Sequence, residues 1–209
     1  AGYCLKRPKD RKKDQTYFLY AIPYKSLGSI LFPLAFLTKD EVREIAQKAF
    51  LPVAEKQESQ DICFITQKTS QEFLAGRVQK LKPGPIVDMQ GNVLGTHRGI
   101  IFHTIGQRGG LRISHPTPLY VVSIDPDENR IVVGEKKDLR ARGLIAGDLN
   151  MLTESWPRHV YAKIRYRKKE APCEIAAENE RLRVLFAEEQ EAITPGQSVV
   201  FYEHDRVLG

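Results

Sequence analysis

The sequence predicts an α+β fold: a helical N-terminal segment over 1–78, a small central β module over 79–142 and a C-terminal antiparallel β-barrel over 143–209. Three observations carry this. Near residue 38 a Thr-x-x-Glu capping box opens a run of apolar residues at helical spacing. From Lys82 onward, short apolar runs alternate with Gly-, Pro- and Asn-containing turns, the pattern of small antiparallel sheets and barrels. The 209 residues, 42% hydrophobic and 28% charged, suffice for one large domain or two small ones of ordinary folded composition.

In chain order, residues 6–15 are polar and strongly basic. They read either as a solvated connector or as a phosphate-contacting loop, since lysine and arginine supply most nucleic-acid backbone affinity. Thr16-Tyr17-Phe18-Leu19-Tyr20 then suits either the edge of a core or a stacking platform. Leu31-Phe32-Pro33-Leu34 is a short apolar stretch before the helix. Thr38 caps that helix, Glu41 completes the box, and Val42, Ile45, Ala46 and Ala49 form its predicted buried face. Asp40, Glu41 and Glu44 in the early turns and Lys48 in the last match the helix dipole, and Pro52 ends the element. A short second helix is expected over 70–74.

Between these helices lies Ser59-Gln60-Asp61-Ile62-Cys63-Phe64-Ile65. A strand here points Cys63 and Ile65 one way and Ile62 and Phe64 the other. The thiol lies next to the incoming loop, which suits a reactive cysteine and equally an inert buried one. The three cysteines, Cys4, Cys63 and Cys173, are too scattered for a disulfide framework or a zinc knuckle, so a reducing compartment is expected. Cys173 falls in a predicted strand and reads as structural, and Cys4 is uninformative. Cys63 remains the reactive candidate, with Lys56 and Lys68 near enough in sequence to favour a thiolate.

In the central module, residues 86–95 read as a hairpin turning at Gly91-Asn92, and 100–105 as a strand. The glycine-rich basic loop at 106–111 is neither a dinucleotide fingerprint nor a phosphate loop. Strands are predicted over 120–124 and 130–133. A further strand over 160–167 sets Lys163, Arg165 and Arg167 on one face and Ala162, Ile164 and Tyr166 on the other. More strands are expected over 173–177, 182–186 and 198–202, the last opened by the turn Thr194-Pro195-Gly196-Gln197. The basic stripe is either the wet face of its strand or a set of phosphate contacts.

The formal charge of +6 permits a polyanionic partner. No apolar run reaches membrane-spanning length and no signal peptide opens the sequence, so no membrane partner is expected. His97 and His103, six residues apart with no cysteine nearby, read as strand or turn residues, and no metal is predicted. The chain begins at Ala1 without a methionine and ends at Gly209 in strand-like sequence, so a piece of a longer protein is expected.

Six stretches, in order, resemble the tRNA-specific 2-thiouridylases: Lys13-Asp14-Gln15-Thr16-Tyr17-Phe18-Leu19; Phe32-Pro33-Leu34 with Leu37-Thr38-Lys39 and Val42-Arg43; Asp61-Ile62-Cys63-Phe64-Ile65; Thr104-Ile105-Gly106-Gln107-Arg108; Ile164-Arg165-Tyr166-Arg167; and Thr194-Pro195-Gly196-Gln197. That family replaces the C2 oxygen of the wobble uridine with sulfur. The resemblance covers the latter part of the family's length. It implies that residues 1–78 continue a catalytic α/β domain whose ATP-binding loop and other catalytic cysteine are absent here. The family's Gly-His-Tyr lacks its histidine at Gly2-Tyr3.

The resemblance further implies that ATP, a co-substrate, adenylates the uracil O2 so that AMP can leave. Cys63 then matches the cysteine that carries sulfur as a persulfide, loaded by a sulfur-relay donor protein and ending in a disulfide with the absent cysteine. Lys13, Asp14, Gln15, Arg165, Tyr166 and Gln197 match tRNA-binding positions. A cytoplasmic tRNA-modifying sulfurtransferase is the reading that follows, the present chain alone being inactive. Two others stay open: an RNA-binding module with a structural cysteine, and a thiol-relay or structural protein that binds no RNA.

Overall fold

The computed structural model describes residues 2–56, 76–77 and 81–209. The predicted cysteine strand and the helix at 70–74 lie outside them. The chain divides into two compact units, one of residues 1–58, 142–189 and 195–209, the other of 59–141 and 190–194.

Two α-helices come first, α1 (Thr16–Leu19) and α2 (Lys39–Lys48). Ten strands follow among the described residues: β1 (Gly84–Val87), β2 (Val93–His97), β3 (Tyr120–Asp125), β4 (Arg130–Gly134), β5 (Arg140–Ala146), β6 (His159–Lys163), β7 (Ala171–Glu178), β8 (Arg181–Glu191), β9 (Val200–Glu203) and β10 (Arg206–Val207).

The first unit is built on a six-stranded sheet ordered β10-β9-β6-β7-β8-β5. Its registered pairs are antiparallel, with Val160 opposite Cys173, Ile175 opposite Val184 and Ala162 opposite Phe201. Along β8 the alternation buries Leu182, Val184 and Phe186 and exposes Arg183 and Leu185. The N-terminal residues extend the β10 edge: the Leu5 carbonyl accepts from the Val207 amide at 2.9 Å, and Lys6 bridges to Arg206. Leu5, Tyr17, Leu27, Leu152, Val200, Tyr202 and Val207 form one core cluster, so α1 is fastened to strands far along the sequence.

In α2 the capping box is present in full: Thr38 Oγ1 accepts from the Glu41 amide and the Glu41 carboxylate accepts from the Thr38 amide. The predicted buried face is corrected. Val42 and Ala46 are half-buried, whereas Ile45 and Ala49 are exposed, because the described residues leave that side of the helix open.

The second unit is a four-stranded sheet ordered β2-β1-β4-β3. The β1–β2 hairpin turns where the Asp88 carboxylate accepts from the amides of Gln90 and Asn92 and Gly91 takes φ +88°. β1 runs parallel to β4 and β3 antiparallel to it. Ile86, Leu111, Val121, Ile131 and Val133 form the core. The predicted strand at 100–105 is instead a 3-10 turn, Ile100–Phe102, followed by irregular chain and a turn at 105–106. Residues five apart in a strand face opposite ways, yet Ile100 and Ile105 both pack on this core, which a turn allows.

Candidate nucleic-acid interface

The six predicted tRNA-binding residues, Lys13, Asp14, Gln15, Arg165, Tyr166 and Gln197, all belong to the first unit, and their geometry starts with Arg7. Its Nη1 donates to Glu170 Oε1 at 2.6 Å, its Nε lies 3.4 Å from Asp14 Oδ2 as an ion pair, and its guanidinium sits 4.0 Å over the Tyr202 ring. The hydrogen bond from Arg7 pushes the Glu170 carboxyl down to about 2, against its partial burial. Asp14 is only 7% exposed, and its Oδ1 accepts from the Thr16 amide (2.8 Å) and the Thr16 hydroxyl (2.6 Å). This carboxylate therefore starts α1 and pins the loop, while its neighbours Lys13 and Gln15 are exposed.

α1 and its C-cap Tyr20 turn two tyrosines toward the unit and one phenylalanine out of it. Tyr17 is buried and its hydroxyl donates to the Ser198 carbonyl at 2.9 Å, while Tyr20 and Ser198 share a hydroxyl–hydroxyl bond of 2.8 Å. Burial pushes the Tyr17 phenol up from its ordinary value, which keeps it a neutral donor. Phe18 is 57% exposed, its ring centroid 4.8 Å from that of Tyr166. Gln15 Nε2 donates to the Tyr166 hydroxyl at 2.9 Å, and Lys163 Nζ lies 5.5 Å from the Tyr166 ring centre.

The strand predicted over 160–167 is corrected here. β6 stops at Lys163, and the chain turns, with the Lys168 amide bonded to the Arg165 carbonyl at 3.1 Å. Alternation survives only as burial, in Ala162, Ile164 and the packed side of Tyr166. Tyr166 thus stands on a turn beside Gln15 and Phe18. Arg165 is half-buried on the same turn, and Gln197 is exposed in the turn just before the clamped Ser198. Two neighbours stand outside the predicted tRNA-binding set, Phe18 as an exposed ring and Lys163 as the cation beside Tyr166. The signal for the first was an aromatic directly after a basic run. Cys63 lies outside the described residues.

Of the basic run, Arg7, Lys9 and Arg11 are paired with Glu170, Glu41 and Asp205 respectively. Lys12 and Lys13 project from an exposed 3-10 turn, Arg11–Lys13, whose cap Asp10 also accepts from the Lys39 amide at 2.9 Å. A positive tip beside paired aromatic rings can hold phosphates and stack an unpaired base.

Other chemistry fits less well. Cys173 is buried, which pushes its thiol up to about 12, so it is inert as a nucleophile. Cys4 and Cys173 are free thiols. His97 Nε2 bonds to the Asn129 carbonyl at 3.0 Å, and no metal-binding cluster occurs among the described residues. The 106–110 loop does not fit a triphosphate: its Gly106 and Gln107 amides are taken by the carbonyls of Val121 and Thr104, and the Gln107 side chain bonds to Gly109 across the loop. No described helix is long and apolar enough to cross a membrane.

Three family models match in succession: the tRNA methyl transferase HUP domain over residues 1–67, the tRNA methyl transferase PRC-barrel domain over 71–135, and the Aminomethyltransferase beta-barrel domain over 141–209. The tRNA-specific 2-thiouridylase MnmA 1 of Syntrophus aciditrophicus (strain SB) is 56% identical over 99% of this chain and 56% of its own length. The tRNA-specific 2-thiouridylases MnmA of Moorella thermoacetica and Caldicellulosiruptor saccharolyticus are 46% and 48% identical over 99% of this chain and 59% and 58% of theirs. The chain thus spans under three fifths of the length of these relatives.

Proposed function

Because the chain belongs to the tRNA-specific 2-thiouridylase family, we propose that it supplies the tRNA-gripping and sulfur-carrying portion of an enzyme that places sulfur at C2 of the wobble uridine. The observation that carries the RNA half of this reading is the Gln15–Tyr166 hydrogen bond, which joins two sequence-distant motifs that the family resemblance marks as tRNA contacts. Lys13 meets backbone phosphate, Gln15 and Tyr166 meet a nucleotide that has left its stack, and Gln197 adds a further contact. Arg165 supports this turn. Asp14 acts from within, by holding Lys13 and Gln15 in place.

Cys63 carries sulfur as a persulfide received from a sulfur-relay donor protein. Its terminal sulfur forms the bond to C2 of the uracil as the C2–O2 bond breaks and O2 departs with AMP, and a second cysteine takes up Cys63 in a disulfide as that sulfur is released. Two cellular thiol groups, themselves oxidised to a disulfide, then supply the two electrons that restore the pair, which suits a reducing, cytoplasmic setting. The 106–110 loop does not fit a triphosphate and the sequence holds no phosphate-loop motif, so activation by ATP falls to the portion of the relatives' length that this chain does not span, and the 209-residue chain alone is inactive.

The test has two arms. Titrating tRNA into the 209-residue chain at about 50 and about 200 mM salt should show affinity falling steeply with salt, as phosphate contacts require; salt-independent or absent binding overturns the RNA reading. Changing Cys63→Ser in a protein of the relatives' full length should abolish thiolation and leave tRNA binding intact. Unimpaired thiolation removes Cys63 from the chemistry and favours an RNA-binding module with a structural cysteine. Detectable 2-thiouridine from the 209-residue chain with ATP and a sulfur donor sinks the claim of inactivity.

A further inference from the structure

We propose that a groove in the central module, between Arg108 and Leu119, is a second RNA-binding site that grips backbone phosphates through Arg108 and Arg112. This deepens the reading above and rests on it.

The observations begin with charge. Between Asp88 and Asp125 the sequence has no acidic residue and contains Arg98, Arg108 and Arg112. Arg108, Arg112 and His115 line an open groove of about 470 Å³ whose floor includes Leu111, Ile113 and Leu119. Arg108 and Arg112 are exposed, and neither has an acidic partner among the described residues. By contrast, Arg7, Arg11 and Arg130 are each neutralised by a carboxylate. Two unneutralised guanidinium groups on one open, mainly polar groove form a site for anions that arrive from outside.

The second observation is that this loop is built rather than loose. The Gly106 amide bonds to the Val121 carbonyl and the Val121 amide to the Gln107 carbonyl, tying the loop to β3. Gln107 spans it, its Oε1 accepting from the Thr104 amide and its Nε2 donating to the Gly109 carbonyl at 2.7 Å. Leu111, 7% exposed, is driven into the core, and Ile113 packs against the same cluster. The His115 ring is fixed by Thr117 at Nδ1. Holding Leu111 inward requires left-handed backbone on both sides of it, φ +79° at Gly110 and φ +56° at Arg112. Glycine adopts that conformation without cost, whereas an arginine there is strained. A strained residue kept on a rigid, solvent-facing loop, with its charge unpaired inside the molecule, points to a function for the charge.

The anion class follows from the shape. The loop's amides at Gly106 and Gln107 are consumed internally, and the recognition groups are side chains spread along an open groove. That arrangement suits successive phosphates of an RNA strand better than the compact triphosphate of a nucleotide.

The test uses the 209-residue chain with Arg108→Gln and Arg112→Asn. Asparagine tolerates the left-handed conformation, so the second change removes charge without adding strain, and the melting temperature should be unchanged or higher. Binding of tRNA is followed by fluorescence anisotropy across a salt series. Each lost phosphate contact should flatten the slope of log affinity against log salt by about 0.7 to 0.9, so the double variant loses roughly 1.4 to 1.8 and binds about tenfold more weakly at low salt. Arg108→Gln alone, at an exposed position, should lose about half of that slope. An unchanged slope and affinity in both variants, with Tyr166→Ala still weakening binding, overturns this inference and leaves the wider reading standing. Absence of salt-dependent binding by the unaltered chain overturns both. MgATP binding by the unaltered chain that both variants lose, with tRNA binding intact, overturns the RNA assignment.

Discussion

The side-chain amide of Gln15 donates to the hydroxyl of Tyr166 at 2.9 Å, across 151 residues of sequence. Three groups crowd that hydroxyl's ring: Phe18 at 4.8 Å, Tyr17 at 6.3 Å and the Lys163 ammonium at 5.5 Å. Tyr166→Phe removes one partly exposed hydrogen bond and keeps the ring. It should cost about 0.5–1.5 kcal/mol of stability at most and weaken tRNA binding only by loosening Gln15. Tyr166→Ala removes the stacking surface and should cost about 1–3 kcal/mol of tRNA affinity, roughly 5- to 150-fold. Equilibrium binding of both variants decides the matter: equal losses assign the work to the hydroxyl, and no loss in either removes Tyr166 from the interface.

The Arg7–Glu170 pair makes this interface acid-sensitive. Its hydrogen bond lowers the Glu170 carboxyl from the ordinary 4.5 to about 2. A depressed carboxylate contributes stability that is present above the unfolded value and lost as pH falls through the folded one. Stability should therefore decline between about pH 4.5 and pH 2, loosening Asp14 and the Lys13–Gln15 loop with it. Solvent reaches Glu170, so on the order of 1 kcal/mol is expected rather than the full shift. Thermal melts of the parent and Glu170→Gln chains should differ at pH 6 and converge near pH 2; a constant gap between the two curves contradicts the assignment.

What the sequence disclosed here was local. The α2 capping box spans four residues, the Asp88 to Asn92 turn five, and the β8 alternation needs no partner to be seen. Features set by distant partners stayed hidden. Asp14 looks like one more polar loop residue until Arg7 arrives with Glu170, 163 residues away from it in sequence. Tyr166 reads as a strand residue, and only its packing on Phe18 and Gln15 shows why the chain turns there. β5, Arg140–Ala146, buries only its last residue and so carries no alternation to read. The Thr16–Tyr20 stretch, open in sequence between core edge and stacking platform, divides between the two, with Tyr17 buried and Phe18 facing solvent.

Cys173 provides a chemical check on the core of the first unit. Burial raises its thiol from 9.0 to about 12, so the folded state holds it protonated. An acid with its folded value raised contributes stability that is present below the unfolded value and lost as pH rises through 9 toward 12. In a Cys63→Ser background, a thiol reagent at pH 8 should label Cys4 alone in the folded chain and both Cys4 and Cys173 after denaturation. Rapid labelling of Cys173 in the folded chain would show that the β6–β7 region opens far more readily than its packing indicates.

Gly84 and Gly91 separate space from backbone strain in the central module. A Cβ on Gly84 would be driven into the Asn129 carbonyl oxygen and lie 2.8 Å from His97 Nε2. Those two atoms form the bond that closes β2 onto the β3–β4 turn. Gly84→Ala should therefore cost on the order of 2–4 kcal/mol, because backbone and ring must both move. Gly91, at φ +88° in the hairpin turn, has no neighbour within 4 Å, so Gly91→Ala should cost only about 1 kcal/mol of conformational strain and Gly91→Asn less. Urea unfolding of the three variants gives the ordering directly. If Gly84→Ala proves as mild as Gly91→Ala, the β1 edge yields around Asn129 and the module that carries Arg108 and Arg112 is softer than its hydrogen bonds imply.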